Sequence, residues 1–167
     1  MAISAYIKSL REKVGHDLLL LPAVTAIILD DRNRVLLHRS SDDNRWYTIG
    51  GALDPGEQPA AACIREVREE TGLTVTIDRI AAVGISPIIT YPNHDQCQYA
   101  SVAFVCTVTG GTLSVSEESH ELKWFAEEEI ERLGLLPYQL KRLRHVLGRN
   151  PEPLIETGES LSNSTHG

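Results

Sequence analysis

The chain has 167 residues, is 42% hydrophobic, carries a net charge of −7 and holds three cysteines. That length and apolar content suit one well-formed core, so a single domain is expected. The acidic balance excludes a protein that grips nucleic acid nonspecifically, which needs clustered Lys and Arg, and the absence of Cys-x-x-Cys spacing excludes a zinc site or disulfide framework, leaving Cys63, Cys97 and Cys106 as buried thiols.

In chain order, Ile3, Tyr6, Ile7, Leu10 and Val14 recur at helical spacing, which predicts an amphipathic helix ending near Gly15. Residues 1–21 are therefore an N-terminal helix with its lead-in, and the apolar stripe packs on the domain or on a second copy, as in a homodimer. Ala23 to Leu29 is apolar and β-branched, Asp30 to Asn33 turns, and Val35 to Arg39 continues as a partner strand, which predicts a hairpin. Arg39 is a candidate substrate contact, because a guanidinium suits phosphate, and His38 is either a strand-surface residue or a phosphate contact. Trp46 to Ile49 forms a short strand delivering Gly50 and Gly51, where missing side chains let the backbone approach a ligand closely. The Gly50 carbonyl is thus a candidate metal ligand.

From Gly51 to Leu73 the chain fits the pattern Gly-x5-Glu-x7-Arg-Glu-U-x-Glu-Glu-x-Gly-U, with U aliphatic, at every fixed position. Average residue frequencies put chance occurrence on the order of 10⁻⁷ per chain, which excludes coincidence. Pro59 suits a first helical turn and Gly72 the position past the end, so a helix from Pro59 to Thr71 is predicted. Ala60, Ala61, Ile64 and Val67 then form the packing stripe, while Glu66, Glu69 and Glu70 converge on the other side. Carboxylates held that close repel one another unless a cation compensates, and oxygen ligation suits Mg²⁺ or Mn²⁺. Each acid alone reads as a solvated helix face; the joint spacing with Gly51, Glu57 and Arg65 is what solubility does not require. Arg65 lies one turn before Glu69 and can reach Glu57, so it orients carboxylates, with Glu57 as its anchor.

Beyond the helix, Leu73 to Ile85 and Gln98 to Val108 read as strands with a loop between them. Thr109-Gly110-Gly111 turns into Thr112 to Val115, and Leu122 to Phe125 is a further short strand before an acidic helix near Ala126. Pro137 to Leu147 reads as a last helix with Leu140, Leu143, Val146 and Leu147 buried and Lys141, Arg142 and Arg144 exposed. From Asn150 the composition turns to Pro, Glu, Ser, Thr and Gly, so residues 150–167 read as a disordered tail, in which Asn163-Ser164-Thr165 carries no weight as a glycosylation acceptor. No apolar run is long enough to cross a bilayer and no signal peptide is evident, so a cytoplasmic protein without a membrane partner is expected.

The Gly51 to Leu73 stretch resembles the box of the Nudix hydrolases, and the order of elements over residues 22–149 resembles the whole domain. The resemblance implies an α/β fold, an α/β/α sandwich around a mixed central sheet. It also implies a Mg²⁺- or Mn²⁺-dependent pyrophosphohydrolase that cleaves the diphosphate bridge of a nucleoside diphosphate joined to another group. Glu66, Glu69 and Glu70 correspond to metal ligands, Glu69 also to a general base held by Arg65. Many members add an acid from a later loop. Here Glu117, Glu118 and Glu121 compete; Glu118, six residues ahead of Trp124, is the candidate ligand or base. The base stays open between Glu69 and Glu118. Two positions depart from the usual pattern: Thr48-Ile49 stands for Leu-Pro before the glycines, and Gln58 stands where Ser or Thr would cap the helix.

Specificity in this family comes from loops outside the box, here Ser86 to Gln96. Tyr91 falls near a tyrosine of relatives acting on diadenosine polyphosphates and is a candidate base contact, whereas Ile89 stands where ADP-ribose-cleaving members often have proline. His94 reads as a solvated loop residue. A non-hydrolytic sensor on the same fold is the alternative, marked elsewhere by erosion of the box acids; all four survive here. An RNA-end or lipid-diphosphate enzyme would call for a basic surface or an apolar groove.

Overall fold

The computed structural model describes residues 4–157. Helix α1 (Ala5–Val14) opens the chain, with Ser4 Oγ accepting from Ile7 N at 3.3 Å, and Gly15 at φ +61° ends it. Ile3 lies outside the described residues. Strands β1 (Leu19–Leu29), β2 (Val35–Ser40), β3 (Trp46–Tyr47) and β4 (Ile49–Ala52) follow, then α2 (Pro59–Thr71). The second half contains β5 (Leu73–Ile85), β6 (Ile89–Thr90), β7 (Gln96–Gly111), β8 (Ser119–Phe125), α3 (Glu127–Ile130), α4 (Pro137–Leu147) and β9 (Leu154–Ile155).

Among the described residues these strands form one mixed sheet, ordered β3-β2-β1-β7-β5-β9, with β4 on β1, β6 on β7 and β8 on β2. β1 and β7 pair in parallel along their full overlap, Leu19 opposite Cys97 through Leu29 opposite Thr107. A parallel pair at the centre is covered on both faces, which is why β1 is apolar without alternation. Ile27 faces a core closed by Leu143, Val146 and Leu147 of α4, while Val24, Ala26 and Ile28 face Ala62, Cys63 and Val67 of α2. α1 shares the α4 side, packing Ile7 and Leu10 on Leu21, Cys97, Tyr91 and Tyr99.

Four expectations change. β1 and β2 share their turn but meet only at Leu29 and Val35; β2 instead pairs with β8 from Val35–Phe125 to Ser40–Ser119. Thr112 to Val115 is irregular, because β7 continues to Gly111, whose φ of +85° turns the chain. The loop after β5 holds a strand, β6, paired with the start of β7. The segment after Asn150 is placed at least to Thr157: β9 adds in parallel to β5, and Arg142, expected on the surface, is 2% exposed and ion-paired with Glu156 at 2.7 Å. Composition reads local polarity, and this segment is held by partners distant in sequence.

Candidate active site

Helix α2 begins at Gln58, which makes no side-chain cap, continues through Pro59 and ends at Gly72 with φ +72°. Its buried face carries Ala62, Cys63, Glu66, Val67 and Glu70. Val67 was expected inward, but Ala60, Ala61 and Ile64 are exposed, and two glutamates take the inward row. Gly51 permits this: a Cβ there would run into the Glu66 carboxyl. Gly50, at φ +154°, is likewise closed to a side chain, whose Cβ would collide with the Val24 carbonyl. A backbone hydrogen bond from Gly50 reaches the Glu70 carboxyl.

Arg65 ties the acids together. Its Nε and Nη2 donate to the two Glu57 oxygens at 2.8 and 3.0 Å, and its Nη1 donates to Glu66 Oε1 at 2.8 Å and Glu69 Oε2 at 3.0 Å. Asp54 N donates to Glu57 Oε2 at 3.2 Å, so the loop before the helix fixes the anchor. This fork holds the Glu57 carboxyl below its usual range. Burial pushes Glu66 up despite Arg65, and Glu69 and Glu118 add to the rise. Glu70 is pushed up furthest, by burial first and then by the negative Glu66 and Glu118.

Glu66, Glu69 and Glu70 line one cleft of about 250 Å³ with Glu118, Asp54, Ser116, Ser4 and Ile7. Of the three acids that competed before Trp124, Glu117 points to solvent and Glu121, within β8, pairs with Arg39 at 3.2 Å, while Glu118 lines the cleft. Among the described residues, no three His, Cys, Asp or Glu side chains stand in ready-made ion-binding geometry; the acids line a cleft instead of meeting at a point. One observation nevertheless fits a cation. Glu70 is 5% exposed and its Oε2 has no hydrogen-bond partner, an arrangement that costs stability unless positive charge completes it.

The two substrate candidates are placed elsewhere. Arg39 shares a face with Trp46, its guanidinium 5.9 Å from the ring centroid and salt-bridged to Glu121. Tyr91 packs against α1 and shares a 2.8 Å hydroxyl hydrogen bond with Tyr99. His38, the neighbour of Arg39, lies on the opposite face of β2, its Nδ1 2.9 Å from Ser119 Oγ. Burial holds its pKa below the usual histidine value. Strand alternation was the signal that separates 38 from 39, but only the partner strand tells which face is which. Ser4 and Ile7 were missed as cleft residues because nothing in their spacing distinguishes packing on a core from closing a site. Asp54, an acid in the turn before Glu57, also reaches the cleft.

The model of the NUDIX domain matches residues 19–146. A MutT-like protein of Streptomyces ambofaciens is 29% identical over 83% of this chain and 85% of its own. The uncharacterised Nudix hydrolase YvcI of Bacillus subtilis (strain 168) is 31% identical over 70% of this chain and 73% of its own. Among solved structures, a UDP-X diphosphatase superposes with a TM-score of 0.67 at 20% identity, covering 93% of this chain and 76% of that one, which supports the fold. With the box acids gathered on one cleft of that fold, the chain belongs to the Nudix family of pyrophosphohydrolases.

Proposed function

We propose that the chain is a Mg²⁺- or Mn²⁺-dependent hydrolase of the diphosphate bridge in a nucleoside diphosphate linked to another group. The observation that carries this is Glu70: a buried carboxyl with an unpaired oxygen, beside Glu66 and Glu118, in a cleft that excludes all side chains at Gly50 and Gly51. Glu66, Glu69, Glu70, Glu118 and the Gly50 carbonyl would hold the ion, which supplies charge on the diphosphate oxygens and acidity to an attacking water.

The chain's own residues do the rest. Glu69, 59% exposed at its side chain and held at one oxygen by Arg65, keeps its other oxygen to accept the water's proton. Glu118 is the second candidate base. Arg65 positions Glu66 and Glu69 through its bidentate grip on Glu57. Tyr91, packed beside α1, and Arg39, whose buried Nε has no partner while its Nη2 pairs with Glu121, do not line the acid cleft, so a substrate contact at either would fall on the group beyond the diphosphate.

The relatives include an ADP-ribose pyrophosphatase of Methanocaldococcus jannaschii and the UDP-X diphosphatase fold neighbour, so ADP-ribose and nucleotide sugars head the compounds to test, with nucleoside triphosphates and dinucleoside polyphosphates. Product release from this panel is expected with Mg²⁺ or Mn²⁺ and none with chelator. Glu69→Gln or Glu118→Gln should lower kcat by about 10²-fold or more, depending on which is the base; wild-type turnover in both would remove both assignments. Metal-dependent ligand binding without any cleavage would instead favour a sensor.

A further inference from the structure

Of the elements that line the acid cleft, helix α1 has the least holding it in place. Ser4 and Ile7 at its start belong to the lining, yet of its ten residues only Ile7 is buried, with Leu10 partly buried beside it. Tyr6 and Val14 are exposed. A helix this short is marginal on its own in water, where about 12–15 residues are needed, so its place is set by what anchors it. The α2 wall, by contrast, is fixed in the core by Ala62, Cys63 and Val67.

The anchor is one side chain. Arg11, 13% exposed, donates through Nη1 to Gly15 O at 3.1 Å and Asp17 O at 2.6 Å, and through Nη2 to Gln96 O at 2.7 Å and Cys97 Sγ at 3.1 Å, while its Nε lies 3.5 Å from Asp95. Among the described residues, every side-chain hydrogen bond from α1 to the start of β7 comes from this guanidinium. His16 adds a 2.7 Å contact to Asp95. The clasp therefore grips the exit of α1 with one nitrogen and the segment 95–97 with the others. Between the helix and β1 stands Gly15, at φ +61° and ψ −127°, a backbone that other residues rarely adopt and beside which a Cβ would meet nothing within 4 Å. An unpacked turn of this kind can absorb a change of backbone angle. Ser4 lies roughly 15 Å from it at the helical rise, so a small rotation there displaces the first turn of α1 most.

The cleft, at about 250 Å³, is smaller than the roughly 300–1,000 Å³ usual for a small-molecule site, so a nucleoside diphosphate joined to another group needs a wall to move. We propose that α1 is that wall: it swings at Gly15 to admit the substrate and returns over it, with Arg11 as the positioning residue that sets the closed state. Opening parts the Arg11 contacts with Asp95, Gln96 and Cys97 and leaves the core of the sheet untouched. On closing, Ser4, whose Oγ already accepts from Ile7 N, keeps its hydroxyl proton for a phosphate oxygen. The inference rests on the hydrolase reading for the identity of the substrate alone.

The test follows α1 and the substrate together in wild type, Arg11→Ala and Arg11→Lys. Amide hydrogen exchange of the metal-free chain should become at least about tenfold faster across residues 8–14 in Arg11→Ala, while the centres of β1 and β7 keep their protection. With ADP-ribose, or whichever compound of the panel is turned over, KM should rise about tenfold and kcat stay within about twofold, because the lost contact is made equally before and during the reaction. Arg11→Lys keeps a charge for Asp95 but lacks the fork that spans both carbonyl groups, so it should fall between the two. Asp95→Asn should shift both readings in the same direction and serves should Arg11→Ala fold poorly. Unchanged exchange of α1 in Arg11→Ala, or faster exchange with KM unchanged, would overturn the proposal. Failure of the hydrolase reading shows separately, as no metal-dependent turnover in the wild type, and the Kd for ADP-ribose then takes the place of KM.

Discussion

A single hydrogen atom at Gly51 separates the two halves of the site, since the Glu66 carboxyl occupies the volume that any side chain there would fill. Gly51→Ala should displace Glu66 and lower kcat/KM by about 10²-fold, while urea unfolding shifts little, because the collision is with the end of a side chain. A different residue carries a pH prediction. Burial alone would raise Asp30, but hydrogen bonds from Arg34 N and Nε and Arg32 N outweigh it and hold the carboxyl below its ordinary 3.8. A carboxyl depressed in the folded state stabilises above its unfolded value, and that contribution is lost as pH falls through the folded value. Asp30→Asn should thus cost about 1 kcal/mol at pH 7, and the gap from wild type should close only as the pH of the melts falls below the ordinary carboxyl value of 3.8. At this scale the box residues were legible because i, i+3 and i+4 spacing is a property of the helix itself. The direction in which they point was not: Glu66 and Glu70 are buried by the approach of β4, and pairing with β8 sets which faces of β2 His38 and Arg39 occupy.

At the scale of elements, β9 is the clearest long-range device. Glu156 reaches Arg142 across the space left by Gly84, where a Cβ would collide with it, and Arg142 also donates to Ser101 Oγ at 2.9 Å. The side chains of the pair are 3% and 9% exposed, so removing one partner leaves an uncompensated buried charge. Glu156→Ala should therefore lower unfolding free energy by about 3 kcal/mol or more, measured by urea titration; a loss under 1 kcal/mol would mean the strand, not the pair, holds the segment. The N-terminal helix is anchored in the same long-range manner, with Arg11 Nη2 donating to Gln96 O at 2.7 Å and Arg11 Nε 3.5 Å from Asp95. Helices α1, α2 and α4 were legible from periodicity. The partner of β2 and the placement of residues 151–157 were not, because both depend on segments tens of residues away or on ion pairs that polar composition conceals.

For the whole molecule, the mixed sheet divides the work: α2 and the loop before β8 bring acids to one end of β4, while Ser4 and Ile7 of the N-terminal segment close the cleft beside them. Its three cysteines are buried and unpaired, Cys63 and Cys106 with sulfurs 3.9 Å apart. The neighbouring Cys63 thiol, and then burial, push Cys106 well above the usual thiol range, so a thiol reagent should label none of the three in the folded protein and all three in denaturant. Under the proposed function, Glu70 is buried for a cation and not for stability. This is tested most directly by measuring Mn²⁺ affinity, metal-dependent turnover and melting temperature on wild type and Glu70→Gln together. The variant is expected to lose Mn²⁺ affinity and turnover by about 10²-fold while melting, without metal, no lower than wild type, since a crowded negative charge has been removed. Unchanged Mn²⁺ affinity in Glu70→Gln, with a lower melting temperature, would contradict it.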